Sequence, residues 1–370
     1  MSSRAVEALA RPFTLGRTEL RNRIVMAPMT RVQSPDGVPG ENVVDYYSRR
    51  AAAGTGLIIT EGTYVDHPSA GSEAAVPRFH GEASLTGWGK VVAGVHEAGG
   101  KIIPQLWHVG IQREAGRPPF TDAPSVGPSG IALNGTPEAG QALSLADVEH
   151  IIGAFAEAAH QAEAIGFDGV ELHGAHGYLI DQFLWERTNK RTDAYGGDLV
   201  ERTKFAADII AAVRERVSPD FPVVLRFSQW KADNYDSRLA QSPQELESLL
   251  TPLVEAGVDA FHASTRRYWQ PEFDGSDLNL AGWTKKLSGK PVITVGSVGL
   301  DREFGMDTFQ GAGAGVASLD RLLERLSRDE FDLVAIGRAL LADPEWADKV
   351  LTGRTSELVP FEAKALSTLY

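Results

Sequence analysis

The chain contains no cysteine. That absence excludes disulfides, thiolate metal sites, cysteine nucleophiles and iron–sulfur clusters together. Long hydrophobic runs are missing too: none approaches the ~20 residues a membrane helix needs, and the opening MSSRAVEALARPF lacks the apolar centre of a secretory signal. Positive charge is outweighed by negative, and the net charge of −13 argues against nucleic acid and anionic membranes as partners. A soluble, cytoplasmic protein is the expectation.

What is present suffices for a large core, with 370 residues of which 43% are hydrophobic. Eight apolar runs have strand character: residues 23–30, 55–62, 101–108, 168–174, 222–228, 259–265, 291–298 and 332–338. Their apolar character is continuous rather than alternating, as in strands covered on both faces. Helical periodicity fills the gaps. Residues 145–165, for example, carry Val148, Ile151, Ile152, Phe155, Ala159 and Ala162 near a 3.6 repeat. Ser144 with Asp147 reads as a capping box, and Ser242-Pro243-Gln244-Glu245 supplies a cap, a first-turn proline and an acid. Gly54, Gly99, Gly166, Gly257 and Gly289 each fall between a helical stretch and a strand, where a left-handed cap is required.

Strand then helix, eight times over, predicts an α/β chain folded as a (β/α)8 TIM barrel, with residues 1–370 forming one domain. An open doubly wound sheet is the alternative, but no strand leads into a glycine fingerprint. Gly311-Ala-Gly313-Ala-Gly315 comes nearest, follows no strand and reads as an insertion. Residues 13–21 read as an N-terminal hairpin plugging one barrel end. The long connections 109–143, 178–198 and 229–241 elaborate the opposite face, where barrels carry their chemistry. The stretch 300–331 is also long.

His173-Gly-Ala-His176-Gly-Tyr178 closes the fourth run. Two neutral imidazoles can donate hydrogen bonds to a carbonyl oxygen, and a phenol can deliver a proton. Arg226 ends the fifth run, where an unpaired charge would cost several kcal/mol; it pairs either internally or with an anionic ligand atom. Gln105 offers donors and an acceptor suited to a heterocycle edge, or is a satisfied core amide. Gly296, Gly337 and Arg338 end the last two strands, where barrels often hold a phosphate. A zinc site on His173 and His176 with His108 or His262 finds no carboxylate at suitable spacing, so no metal is expected.

These residues resemble the old yellow enzyme family of FMN-dependent NAD(P)H:flavin oxidoreductases, or ene-reductases. The likeness runs from about residue 12 to 354. Its strongest block is HGAHGYLIDQFL at 173–184, followed by RTDAYGG at 191–197; Ala27–Arg31, Glu61-Gly62, Gln105–Trp107, Leu225-Arg226 and Gly337-Arg338 match in order. The resemblance implies noncovalent FMN at the carboxyl ends of the strands. Pro28, Met29 and Thr30 would lie along the isoalloxazine, Gly62 and Gln105 at its pyrimidine side, and Arg226 at N1–C2. Gly296, Gly337 and Arg338 would hold the phosphate. It further implies NAD(P)H-driven reduction of the C=C bond of an α,β-unsaturated carbonyl or nitro compound. In that reaction His173 and His176 bind the electron-withdrawing group, hydride comes from flavin N5 and the proton from Tyr178. Trp107, Tyr268 and Trp269 are expected to line the substrate pocket. Thr30 stands where one family branch has cysteine, and the two-histidine pattern differs from members with His and Asn, which leaves the substrate open. The alternative is a related single-domain flavin barrel acting on N-methylated amines or nitrate esters. The apolar 365–370 segment could dock on a second copy, leaving a homo-oligomer open.

Overall fold

The eight apolar runs become eight strands in a computed structural model that describes residues 3–370. They are β1 (Ile24–Met26), β2 (Leu57–Tyr64), β3 (Lys101–Trp107), β4 (Val170–His176), β5 (Val223–Lys231), β6 (Ala260–Ser264), β7 (Val292–Val295) and β8 (Leu333–Ile336). Each is parallel to its sequence neighbours, and β8 pairs with β1 to close the barrel. The helices that follow them in turn are α1 (Glu41–Ala52), α2 (Glu82–Glu97), α3 (Leu145–Ala164), α4 (Lys204–Arg216), α5 (Pro243–Glu255), α6 (Leu280–Ser288), α7 (Asp320–Ser327) and α8 (Trp346–Leu351).

The continuous apolar runs are explained by burial on both faces. Alternate residues, among them Val25, Leu57, Ile59, Ile103, Val224, Ala260, Ile293 and Leu333, form one buried cluster that fills the barrel. Their neighbours Ile24, Met26, Ile58, Ile102, Phe261 and Val334 pack outward into the helix layer. The expected caps are in place. Ser144 Oγ accepts from Asp147 N–H at 3.1 Å while the Asp147 carboxylate accepts from Ser144 N–H at 3.0 Å. Ser242 Oγ accepts from Glu245 N–H at 3.2 Å ahead of Pro243. All five glycines expected at helix ends have positive φ.

The hairpin is a plug. Phe13–Leu15 pairs with Thr18–Leu20, and Leu15 and Leu20 join the barrel-filling cluster. Thr18 Oγ1 donates to Asp168 O at 2.7 Å and Arg17 N–H to Asp220 O at 3.0 Å, tying the hairpin to the chain entering β4 and β5. The turn requires Gly16, whose φ is 54° and where any Cβ would strike Asp220 O.

Three strand ends depart from expectation by three residues or more, and one of them is β7, which ends at Val295 rather than residue 298. β1 stops at Met26 rather than residue 30; Ala27 N–H still donates to Ile336 O at 3.0 Å, and beyond it Arg31 N–H donates to the Glu61 carboxylate at 2.8 Å. β5 runs on to Lys231, whose backbone pairs with His176. A helix at Ser3–Ala10, which apolar periodicity did not signal, packs Leu9 fully against the barrel and receives Arg23 N–H at Leu9 O. The segment 365–370 docks on its own chain rather than standing free. Arg31 Nη2 donates to Ala365 O, Leu366 O and Thr368 O, and Arg49 lies 4.4 Å from the Tyr370 ring centroid. Among the described residues no helix is long and apolar enough to cross a membrane.

If the plug closes the barrel floor, Leu20→Ala should lower unfolding stability by about 2–4 kcal/mol in urea titrations, the usual effect of a buried Leu→Ala cavity. A loss under about 0.5 kcal/mol would show that the hairpin merely rests on the barrel.

Candidate active site

Above the apolar filling, the inward positions turn polar. Glu171 and His173 on β4, Arg226 on β5 and His262 and Ser264 on β6 share this upper layer with Gln105 of β3, and all are buried. Glu171 anchors it. Its Oε1 accepts from Gln105 Nε2 at 2.7 Å, and its Oε2 meets His262 Nδ1 at 2.7 Å. Arg226 makes no salt bridge among the described residues. One Nη2 contact reaches Ser264 Oγ at 3.4 Å, and Nε has no partner. Burial pulls its pKa down, opposed by the charge of Glu171. The internal-ion-pair reading of Arg226 is therefore unfilled, which leaves donors for an anionic ligand atom.

The sequence trio converges. The His173 and Tyr178 ring centroids lie 4.9 Å apart, those of His173 and His176 5.2 Å, and Trp107 packs edge-on against Tyr178 at 4.9 Å. Burial, and then the Arg226 charge, hold both imidazoles well below the usual histidine pKa, so both are neutral at pH 7. Burial raises the Tyr178 phenol, which stays protonated. His173 Nδ1 accepts Ala175 N–H at 3.4 Å, leaving the ring proton for Nε2. His176 differs: its Nε2 lies 2.8 Å from Ser264 Oγ. Neutral donors beside a protonated phenol can polarise an acceptor and protonate its product.

The other expected residues fall into three groups. Pro28, Met29 and Thr30 follow β1 on this same face, at the strand's carboxyl end. Gly62 lies against Trp107, where a Cβ would approach the indole to 2.5 Å, so nothing larger fits. Gly296, Gly337 and Arg338 lie at the ends of β7 and β8. A Cβ on Gly337 would meet Met29 Sδ at 3.7 Å and Ala27 Cβ at 4.0 Å, ordinary contacts without a clash. Arg338 donates to Glu303 O and Arg302 O, and burial lowers its pKa to about 10.

Tyr268 and Trp269 are not brought to the trio. They pair with each other at 5.1 Å, the phenol of Tyr268 feels Arg321 and Arg325 of α7, and Trp269 O accepts from Arg321. The chain after β6 turns outward there, with Tyr268 N–H bonded to Gly296 O. Beside the trio, Trp230 near the end of β5 stacks on His176 at 4.3 Å, and Tyr235 packs on Trp230. Among the described residues no group of three or more His, Asp or Glu side chains is placed to hold a metal ion; His108 bonds His67, and His262 bonds Glu171 through Nδ1.

Sequence reasoning also missed Glu171, although it shares the inward face of β4 with His173 at a spacing of two. It named Glu61 only within a matching block and gave it no role; Glu61 accepts Arg31 N–H and so shapes the segment after Met29 and Thr30. Burial raises the Glu61 carboxyl from 4.5 to about 7. A carboxyl raised in the folded state stabilises fully below its unfolded pKa and loses that contribution as pH climbs through 7. Glu61→Gln should therefore gain on the parent chain by about 2–3 kcal/mol between pH 4.5 and 8 in parallel denaturation series. A pH-independent difference would contradict that placement.

Comparison with known proteins covers nearly the whole chain. Residues 8–357 match the NADH:flavin oxidoreductase / NADH oxidase family. NADH oxidase of Thermoanaerobacter brockii is 36% identical over 354 residues, 93% of this chain; the chain spans only 50% of that protein's length. It similarly spans 49% of a metal reductase of Desulforamulus reducens, at 30% identity. Morphinone reductase in complex with tetrahydroNAD superposes with a TM-score of 0.77 at 28% identity, covering 93% of this chain and 90% of that one. By this match of sequence and fold, the chain belongs to the NADH:flavin oxidoreductase / NADH oxidase family, that of the old yellow enzymes.

Proposed function

We propose that the chain, as one barrel domain, is an ene-reductase that reduces the C=C bond of α,β-unsaturated carbonyl or nitro compounds with NAD(P)H, using FMN held across the open end of the barrel. The mouth suits that cofactor. Arg226 Nε and His262 Nε2 are buried donors or acceptors without partners, at the level where a flavin's polar pyrimidine edge needs them. Gln105, Gly62, Pro28, Met29 and Thr30 would complete the ring's surroundings. Gly296, Gly337 and Arg338 would hold the phosphate, with no tight contact at the Gly337 Cβ position and a cation beside it. Bound there, FMN supplies two-electron chemistry between the nicotinamide and the alkene.

The chain's own residues do the rest. His173, with its proton on Nε2, would bind the carbonyl or nitro oxygen and stabilise the charge that gathers there. His176 would join it, its ring fixed by the Trp230 stack and by Ser264. The phenol of Tyr178 would give its proton to the substrate carbon next to the activating group. Trp107 packs on both His173 and Tyr178 and would hold the two rings in place. The observation that carries this reading is one cluster holding two neutral imidazoles and a protonated phenol.

Tyr178→Phe should leave NAD(P)H-driven flavin reduction within about twofold and slow alkene-driven reoxidation by about 10²-fold, the contribution of a positioned general acid. Equal losses in both stopped-flow half-reactions would falsify the assignment. Arg226→Met should weaken FMN binding to apoprotein at least about tenfold by fluorescence titration, because a charge-assisted hydrogen bond is lost. Unchanged affinity would remove Arg226 from the cofactor's surroundings.

A further inference from the structure

Two side chains outside the proposed chemistry grip the segment that carries it. His176, the last residue of β4, has φ of 66°, a left-handed conformation that strains a residue bearing a Cβ. Gly177 follows at φ 79°, and this double kink folds Tyr178 back towards His173. Such strain persists only where the surroundings over-determine it. Here all four backbone polar groups of residues 176 and 177 are bound. His176 N–H donates to Ser228 Oγ at 3.0 Å, and His176 O accepts from Ala232 N–H at 3.2 Å. Gly177 O accepts from Gln112 and Gln182 at 2.8 and 2.7 Å. Gly177 N–H donates to Asp181 Oδ2 at 2.7 Å.

Asp181 leads outward from this kink. Its Oδ1 lies 2.7 Å from Lys231 Nζ, and both side chains are fully buried. Lys231 is the register partner of His176 on β5, and its ammonium also reaches Ser228 O at 3.3 Å. Asp181 sits on the short helix Leu179–Leu184 that follows Tyr178 directly. The ion pair therefore joins the chain beyond the kink to the end of the neighbouring strand, with residues 176–178 clamped between them. Burial pushes the Asp181 carboxyl up and the Lys231 ammonium down, and each is opposed by its partner. For stability alone, an apolar pair of similar volume generally serves as well as a buried ion pair. An apolar pair cannot accept the Gly177 N–H.

We infer that Asp181 and Lys231, together with Ser228, are positioning residues that hold His176 and Tyr178 in the strained turn from which the imidazole binds the substrate oxygen and the phenol delivers its proton. This rests on the reading of His176 and Tyr178 given above.

Two double variants of the FMN-loaded protein separate positioning from stability. Asp181→Leu/Lys231→Met removes the pair and the acceptor for Gly177, whereas Asp181→Asn/Lys231→Met removes the charges and keeps an acceptor. The first should retain NAD(P)H-driven flavin reduction within about twofold, yet lose about tenfold in 4-hydroxybenzaldehyde affinity and in reoxidation by 2-cyclohexenone, as misplaced groups cost rate and binding. The second should recover most of both. Wild-type affinity and reoxidation in both variants, with only Tm altered, overturns the proposal. Should the first variant not fold, Ser228→Ala deletes the acceptor for His176 N–H along with the bond that Ser228 Oγ donates to Trp230 O, and leaves the Asp181–Lys231 pair in place. It should weaken 4-hydroxybenzaldehyde binding about threefold, and unchanged binding overturns the proposal equally. Tyr178→Phe run alongside separates the two claims: reoxidation at the wild-type rate removes the proton-donor role, while the affinity series still judges the clamp.

Discussion

A buried carboxylate organises the open end of this barrel. Glu171 projects into the interior just above the apolar filling, where an unpaired charge would be prohibitive. It takes a hydrogen bond from Gln105 on β3 and meets His262 on β6, so three strands are tied at one level. Its charge also stabilises Arg226, which makes no salt bridge among the described residues and keeps an unsatisfied Nε. The layer is thus satisfied within itself on one side and has spare donors on the other. That asymmetry makes a barrel core into a ligand site.

Protonation at the rim follows from the same burial. Desolvation disfavours charge on the imidazoles and on the phenol alike, and the Arg226 cation adds to the effect on the imidazoles. The outcome is a set of neutral hydrogen-bond donors beside a proton-bearing phenol. The left-handed backbone at His176 brings the three rings together, and its strain is matched by hydrogen bonds to every backbone group of the turn.

The strands and the trio were legible for local reasons. Burial on both faces writes itself as continuous apolar runs, and His173, His176 and Tyr178 lie within six residues. Helix ends were legible because Ser144, Ser242 and the five glycines do their work beside their own positions. What stayed hidden depends on distance or on loop direction. Asp181 and Lys231 are 50 residues apart, and nothing near either one announces the other. Tyr268-Trp269 and Trp230 with Tyr235 look equally aromatic in sequence; only the outward turn after β6 sends the first pair to α7 while β5 runs on to lay Trp230 on His176. Glu171 looked like a lone acid in an apolar strand because its partners come from β3 and β6.

The central claim is that this rim polarises an activated alkene and protonates it beside a flavin. Anaerobic mixing of the NAD(P)H-reduced, FMN-loaded protein with 2-cyclohexenone tests it most directly. The account predicts rapid return of the oxidised flavin spectrum with one cyclohexanone formed for each flavin, while a flavin that stays reduced, with cyclohexenone unconsumed, would contradict it.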